Sequence, residues 1–519
     1  MNGSPAPLAP RPYLIEDYTR TVCPACFTER PRRADEPDVL KDGMLVTRDG
    51  AVYLRRACAE HGESESLYEE DAEIWRARRG WSTPTLAMTP DRPGPRRPFP
   101  AGYRDGLPAT HGQHTCILLL NLTQRCDARC ATCYAAAEPT AVERPPTRAE
   151  ILATVRAVLA REHGRLGVLM LSGGEPTLRA DLPEIVAELV ELPITRILLN
   201  TNGLRLATDD ALVELLRAHR RRLEVYLHFD TLRPETSRVL HGADLTGQKL
   251  RALARLDEAR VFTTLVSNLH RRINEDEVGD LVRLSLDTPR CTGVALQPQF
   301  AAGRHLPPDP LDRVTPTGVL RRLAAQTRGL LDWTDFIPLP CSHRDCCDLT
   351  YLIRTKGGEW RSLPKLLGRE ELARWIHVVG NTVTFDNVTP AIAEMLREGV
   401  LQRVFSNEPR IGALSLMRDI GRMCQCIPGL PELITGLTAL VPAAGPEAMD
   451  RLAERTRRIT LKMFMDAHRF HDARFRQCCV HVGTFEADPR RHPFCYRWLF
   501  ADATDRPMVE VAPAAGGAG

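Results

Sequence analysis

Three cysteines within eight residues, Cys126, Cys130 and Cys133 in the stretch NLTQRCDARCATCYAAA, constrain this chain of 519 residues more than any other feature. They sit on one tight loop directly after the apolar run ILLLNL at 117–122. Three such thiols either bond to each other or hold something. The N-terminal MNGSPAPLAPRP lacks the apolar core of a signal peptide, and no apolar run approaches the roughly 18 residues of a membrane span, so a cytoplasmic protein is expected. Disulfides do not persist in a reducing compartment, and clustered thiols there read as metal ligands. Three thiolates can occupy three corners of a cubic 4Fe–4S cluster, which is ordinarily held by four. A missing fourth ligand leaves an open coordination site, as at a catalytic metal. The competing reading is a zinc knuckle with a distant fourth ligand.

The surroundings of the loop say what carries it. Short apolar runs recur at 117–122, 166–171, 196–200, 223–229, 261–267 and 293–299, with helical segments between them. One helix opens on the capping box Thr147-x-x-Glu150 and runs to about 163, with Ile151, Val155, Val158 and Leu159 on one face. DLPEIVAELVEL and DDALVELLRAHRRR read as two more, and Asn274-x-x-Glu277 as the start of another. Six strand–helix units imply a parallel sheet with right-handed crossovers. Six are too few for a closed eight-fold barrel. The expected fold is therefore α/β, an open (β/α)6 partial barrel over 115–330 with its site at the strand C-termini. Before it, residues 1–12 read as disordered, 13–82 as a small Cys/His unit and 83–114 as a Pro-rich linker. After it come a Cys-rich extension over 331–505, with a helical stretch near 367–405, and a disordered tail over 506–519. The net charge of +3 gives no electrostatic case for a nucleic-acid partner.

Thirteen of the sixteen cysteines lie outside the central loop. Cys23-x2-Cys26 and Cys58-x2-His61 make a CxxC…CxxH pair that suits tetrahedral zinc or a rubredoxin-like iron, a closed site that is structural or electron-transferring. Cys341, Cys346, Cys347, Cys424, Cys426, Cys478, Cys479 and Cys495 number enough for two clusters with four thiolates each, or for one cluster plus spare thiols, Cys347 first among the spares; a zinc-bound structural cap is the alternative. Cys116 and Cys291 read as buried structural thiols.

The sequence LMLSGGEPTL ends the second strand with Ser172, Gly173, Gly174, Glu175 and Pro176. Two bare glycines permit close approach of a ligand, and Glu175 offers a carboxylate to an ammonium group. With CxxxCxxC after the first strand, this segment resembles the radical S-adenosylmethionine (SAM) superfamily. The resemblance implies that Cys126, Cys130 and Cys133 hold the cluster, that SAM chelates the free iron, and that the segment around Gly173 and Gly174 receives the methionyl amine. It departs at Thr132, where the superfamily usually has an aromatic residue, and Tyr134 is the aromatic neighbour expected against the adenine. Polar residues at later strand ends point to one mouth: Asn200 and Asn202, His228 and Asp230, Ser267 and Asn268, Gln297 and Gln299. Asp230, Asn268 and Gln297 are the expected substrate or ribose contacts.

The order CPxC, CxxHG, CxxxCxxC, PCSHxxC and CCVH…PFC, spread over about residues 20–500, is similar to one subgroup, that of archaeal tetraether lipid synthase and the methylene-folate-dependent pterin methylases. That subgroup often has several cysteines just before the first strand; here ATHGQHTC keeps only histidines and Cys116. The resemblance implies an enzyme that cleaves SAM reductively to a 5′-deoxyadenosyl radical, abstracts hydrogen from an unactivated C–H and forms a C–C bond, by lipid-chain coupling or C-methylation. One or two auxiliary clusters and a ferredoxin- or flavodoxin-type donor go with it, as does a small-molecule or lipid substrate; peripheral contact with a membrane stays open. The other classes are a non-catalytic iron–sulfur carrier, against which the intact SGGEP segment argues, and an RNA-modifying radical SAM enzyme, against which the modest charge argues.

Overall fold

The computed structural model describes residues 12–29, 39–80, 89–91, 99–339, 342–354 and 454–500, apart from 142–143, 165 and 307–308, together with 358–362, 364–365 and 369. The expected helical stretch near 367–405 and the thiols Cys341, Cys424 and Cys426 lie outside the described residues.

The chain opens with four antiparallel strands paired in order: β1 (Leu14–Thr21), β2 (Lys41–Arg48), β3 (Ala51–Cys58) and β4 (Gly62–Glu69). The helix Ala72–Arg78 follows, its first amides capped by the Asp71 carboxylate, and it lays Trp75 on Leu45, Val52, Leu54 and Tyr68. This small core is bolted to the rest of the molecule through buried charge: Glu69 pairs with Arg469 at 3.1 Å and Arg78 with Asp348 at 2.7 Å.

The six apolar runs are strands: β5 (Ile117–Asn121), β6 (Leu166–Ser172), β7 (Ile194–Thr201), β8 (Leu223–His228), β9 (Thr263–Leu269) and β10 (Cys291–Pro298), each parallel to the next. Both faces of these strands are covered, which is why β6 can be buried along its whole length without polar alternation. The helix Arg148–Arg161 starts on the expected box, with the Thr147 hydroxyl accepting from the Glu150 amide and the Glu150 carboxylate accepting from the Thr147 amide. Two expectations shift. The helix after β9 begins at Val278, because Asn274 is used elsewhere: its side chain accepts from the His270 amide and donates to the carbonyls of Asp230 and Asn268, clamping the β8 and β9 loops together. The second half of the supposed linker is packed, with Phe99, Tyr103, Leu107 and His111 in or against the interior of the arc.

The arc itself is wider than six strands. The remaining strands are β11 (Ile337–Pro338), β12 (Cys347–Arg354), β13 (Trp360–Ser362), β14 (Thr456–Lys462), β15 (Val480–Gly483) and β16 (Arg491–Pro493). β14 lies parallel to β10 on one edge and β15 parallel to β5 on the other, giving eight parallel strands in the order β15-β5-β6-β7-β8-β9-β10-β14. β14 and β15 do not pair, so the arc stays open. The residues between them, 463–479, carry Phe464, Phe470 and Phe475, which pack in and against the interior of the arc. No helix of the described residues is long and apolar enough to cross a membrane.

β16 is tied down by Arg491, which is fully buried. It donates from Nε to Asp91 at 2.8 Å, from Nη1 to the Thr115 hydroxyl at 2.9 Å and from Nη2 to the Thr89 carbonyl at 2.8 Å, and it also pairs with Glu162. Removing one member of a buried ion network leaves its partners uncompensated. Arg491→Met is expected to cost about 3–5 kcal/mol of stability, seen as a lowered denaturation midpoint with an unchanged dependence on denaturant.

Candidate active site and metal centres

The loop after β5 is held by the turn after β6, backbone against backbone. The Leu122 amide donates to the Ser172 carbonyl at 2.8 Å, the Gly174 amide to Thr123 at 2.6 Å and the Glu175 amide to Arg125 at 2.8 Å. Gly173 sits at φ +120, and a Cβ on it would collide with the Thr123 carbonyl; one on Gly174 would collide with the Arg125 carbonyl. The glycines are therefore required first by the cysteine loop itself. From the other side, the amide and carbonyl of Cys133 pair with the carbonyl and amide of Arg304 at 2.7 and 2.9 Å. The Arg304 guanidinium donates to the Cys130 carbonyl at 2.8 Å.

Cys126, Cys130 and Cys133 line one cavity with Tyr134, Gly173, Gly174, Glu175, Asn200, Asn202, Asn268 and Gln297, which brings most of the sequence-derived set together at the strand C-termini. Four members have other duties. Glu175 is buried, and its carboxylate accepts from the Thr177 amide and hydroxyl, the Thr201 hydroxyl and the Asn202 amide at 2.6–3.1 Å. It braces the turn rather than standing free for an ammonium. Ser172 bonds the Tyr134 hydroxyl at 3.2 Å and the Asn200 amide at 2.9 Å. Pro176 opens a single 3-10 turn. Asp230, expected as a direct contact, stands one layer back from the cavity lining. It is buried behind His228, accepting from the Asn268 amide at 2.7 Å and pairing with His228 at 2.8 Å. Burial alone would raise its pKa, but His228 and His241 hold the carboxyl far below its usual range.

Tyr134 packs edge-on to Trp498 and Phe494 and face-on to Phe300. Tyr134, Phe300, Phe494 and Phe464 form one wall of the cavity. Lys462 faces it from β14, donating to the Tyr226 hydroxyl at 3.1 Å, with no carboxylate in ion-pair range among the described residues. Sequence reasoning found Tyr134 but missed Arg304, His241, His270, Lys462 and the phenylalanines Phe300, Phe464 and Phe494. They come from segments far apart in the chain, and no local spacing marks them.

The donor chemistry fits an iron–sulfur cluster. Burial pushes the Cys126 thiol up to about 12 and Cys130 up to about 11, so without metal these sulfurs keep their protons. They do not form a group compact enough for one ion. Thiolates sharing one zinc at about 2.3 Å stand about 3.7 Å apart, whereas those on separate corners of a cube stand wider. The N-terminal group does match one ion. The donor atoms of Cys23, Cys26, Cys58 and His61 all lie within 4.8 Å of one another, with Cys26 and Cys58 sulfurs 3.7 Å apart. Burial opposes ionisation of Cys58, but the His61 ring and the amides of Glu60 and His61 outweigh it and bring the thiol to about 6. His61 carries Glu29 on its other nitrogen at 2.9 Å, the carboxylate that orients a metal-bound imidazole.

A third thiol group comes from the residues after β11. Cys346, Cys479 and Cys495 are close enough to Cys478 to disfavour its ionisation, after burial has already driven it well up. Arg474 donates to the Cys346 sulfur at 3.3 Å, and the Met465 amide to Cys495 at 3.3 Å. Cys116 joins their edge beside Cys479, with His114 at 3.2 Å, so it is buried but not isolated. Cys291 is buried on β10, as expected.

This open arc, with a three-thiol loop at its first strand and a double-glycine turn at its second, contains a radical SAM domain. Residues 120–285 match the radical SAM superfamily, and residues 15–70 match the HMPTM N-terminal zinc ribbon domain. The chain is similar to the 7,8-dihydro-6-hydroxymethylpterin dimethyltransferase of Methanocaldococcus jannaschii, with 25% identity over 93% of each chain. It also resembles molybdenum cofactor biosynthesis protein 1 of Drosophila melanogaster, at 34% identity over 38% of this chain and 34% of that one. Among solved structures, Streptococcus suis SuiB bound to S-adenosylmethionine aligns at 15% identity with a TM-score of 0.35, covering 42% of this chain and 47% of that one. The cofactors are thus a 4Fe–4S cluster and SAM, with a metal ion in the N-terminal ribbon.

Two substitutions test this geometry. Gly174→Ala drives a methyl group into the Arg125 carbonyl and should weaken SAM binding at least tenfold while leaving zinc content unchanged, as read by equilibrium dialysis and metal analysis. Cys58→Ser should lose one metal ion per chain to a chelator that leaves the wild type loaded, and loosen protease resistance around residues 15–70, because binding to such a site is folding free energy.

Proposed function

We propose that the protein installs one-carbon units on an unreactive carbon of a small, flat heteroaromatic substrate of the pterin class. The observation that carries this reading is the extent of the likeness to the pterin dimethyltransferase. It runs through 93% of both chains and so takes in the ribbon, the barrel and the Cys-rich C-terminal part. The cavity agrees in kind. Phe300, Phe464 and Phe494 offer faces to a ring, and Gln297, Gln299 and Lys462 offer polar groups to its edge.

In this reading Cys126, Cys130 and Cys133 would hold the cluster, and the chemistry it would supply is the one-electron reductive cleavage of SAM. The chain's own residues position and enclose. Asn200, Asn202 and Asn268 stand where SAM would lie, Tyr134 and its aromatic neighbours keep water from the adenine end, and the Gly173–Gly174 turn holds the cysteine loop in place. Cys346, Cys478, Cys479 and Cys495 hold an auxiliary cluster, and a ferredoxin- or flavodoxin-type protein delivers electrons.

The test is anaerobic reconstitution followed by SAM, reductant and a reduced 6-hydroxymethylpterin in the presence of a methylene-folate donor. Expected are 5′-deoxyadenosine and a pterin heavier by one or two methyl groups, both abolished by Cys126→Ala. Absence of 5′-deoxyadenosine under several reductants would favour an electron carrier. Deoxyadenosine with coupled lipid chains and an unaltered pterin would favour lipid coupling.

A further inference from the structure

Cys130 differs from the other two loop cysteines in what faces its sulfur. His241 Nδ1 stands 3.4 Å from Cys130 Sγ. Among the described side chains, Cys126 Sγ meets only the Asn202 amide, at 3.9 Å, and no side-chain donor reaches Cys133 Sγ. The imidazole is not a loose surface group. It is 4% exposed and ends the helix Pro234–His241, whose next residue, Gly242, turns at φ 74. That helix end is fastened to the cysteine loop, because the Ala131 amide donates to the Leu240 carbonyl at 2.8 Å. The far nitrogen, Nε2, faces Asp230 Oδ2 at 3.3 Å. Asp230 is itself fixed by the Asn268 amide and by His228, and Lys249 secures that strand end by donating to the His228 carbonyl at 2.7 Å.

We propose that His241 is a positioning residue that donates a hydrogen bond from Nδ1–H to the Cys130 sulfur and so sets the reduction potential of the SAM-binding cluster, with the helix end fastened at Leu240 holding the ring. This rests on Cys130 being a cluster ligand. A ligated sulfur carries no proton, so the hydrogen of this contact comes from the ring; Nε2 makes no hydrogen bond among the described residues, which leaves the one ring proton for Nδ1. A donor to a ligand sulfur stabilises the more negative, reduced cluster and raises its potential, one of the levers by which proteins spread cluster potentials. The bond falls on one corner of the cube, which makes the three ligated irons inequivalent.

The experiment uses the anaerobically reconstituted full-length enzyme without SAM. In His241→Leu the donor is lost. At a fixed solution potential the ratio of reduced to oxidised cluster should fall about tenfold, which is about 59 mV for one electron, in an EPR-monitored titration at undiminished iron content. Asn, whose side-chain amide can occupy the Nδ1 position, should restore most of the potential in His241→Asn although it cannot reach Asp230; a merely structural role for the ring would not be rescued in this way. Pulsed EPR of the wild-type reduced cluster, prepared with 15N-histidine, should show a coupled histidine nitrogen that disappears in both variants. An unchanged midpoint in His241→Leu overturns the proposal. So does an absent 15N coupling in the wild type, which decides the matter even if the leucine variant fails to assemble a cluster. If Cys130→Ala keeps its cluster and cleaves SAM, it is instead the ligand assignment that fails.

Discussion

The contact on which the rest of the structure depends is between two stretches of main chain. The turn at Gly173 and Gly174 lies against Thr123–Arg125 so closely that neither glycine has room for a side chain, and three amide–carbonyl bonds lock the approach. Cysteine thiols on a free loop would have no fixed direction. Here the loop is nailed to β6 on one side and to Arg304 on the other, which gives its sulfurs a direction. Glu175 shows how much is spent on this. A fully buried carboxylate is costly, and four donors from two neighbouring segments offset that cost so that the turn cannot move.

The same logic organises the layers around the loop. Nearest the sulfurs are groups that aim them: Arg304 on a carbonyl, His241 on a thiol, the Leu240 carbonyl on the Ala131 amide. Behind these stands a buried polar belt of His228, Asp230, Asn268 and Asn274, which ties the ends of β8 and β9 together through Asp230 and Asn274. Across the cavity the surface turns aromatic. One side of the site thus directs charge and the other presents flat apolar faces, an arrangement that suits a reaction in which a charged cofactor meets a planar, weakly polar partner.

Much of this was legible in the sequence, for identifiable reasons. The six strands stood out because a doubly covered strand is a continuous apolar run, and the ribbon ligands because CxxC and CxxH fix sulfur and nitrogen spacing locally. The illegible parts depend on distant pairing. Nothing in TRRITLK or VHVG distinguishes an added parallel strand from any other short β segment, so the arc read as six strands and not eight. Asn274 looked like a helix cap because capping and loop clamping use the same side-chain oxygen. Asp230 looked like a ligand contact because it follows the end of a strand, whereas its oxygens are engaged by the Asn268 amide and by His228 in front of it. The Pro-rich composition of 83–114 suggested a linker, yet Phe99, Tyr103 and His111 in its second half find partners in residues near the C-terminus.

The placing of β14 and β15 bears on how the molecule comes into being on the ribosome. Both flank strands laid down far earlier in synthesis, one on each side, so the nascent sheet waits with two raw borders until the C-terminal strands are made. Bare borders recruit strangers, and pairings between remote segments form slowly. Metal insertion into the central loop thus takes place either in an unfinished, sticky intermediate or after the last strands have shut the flanks.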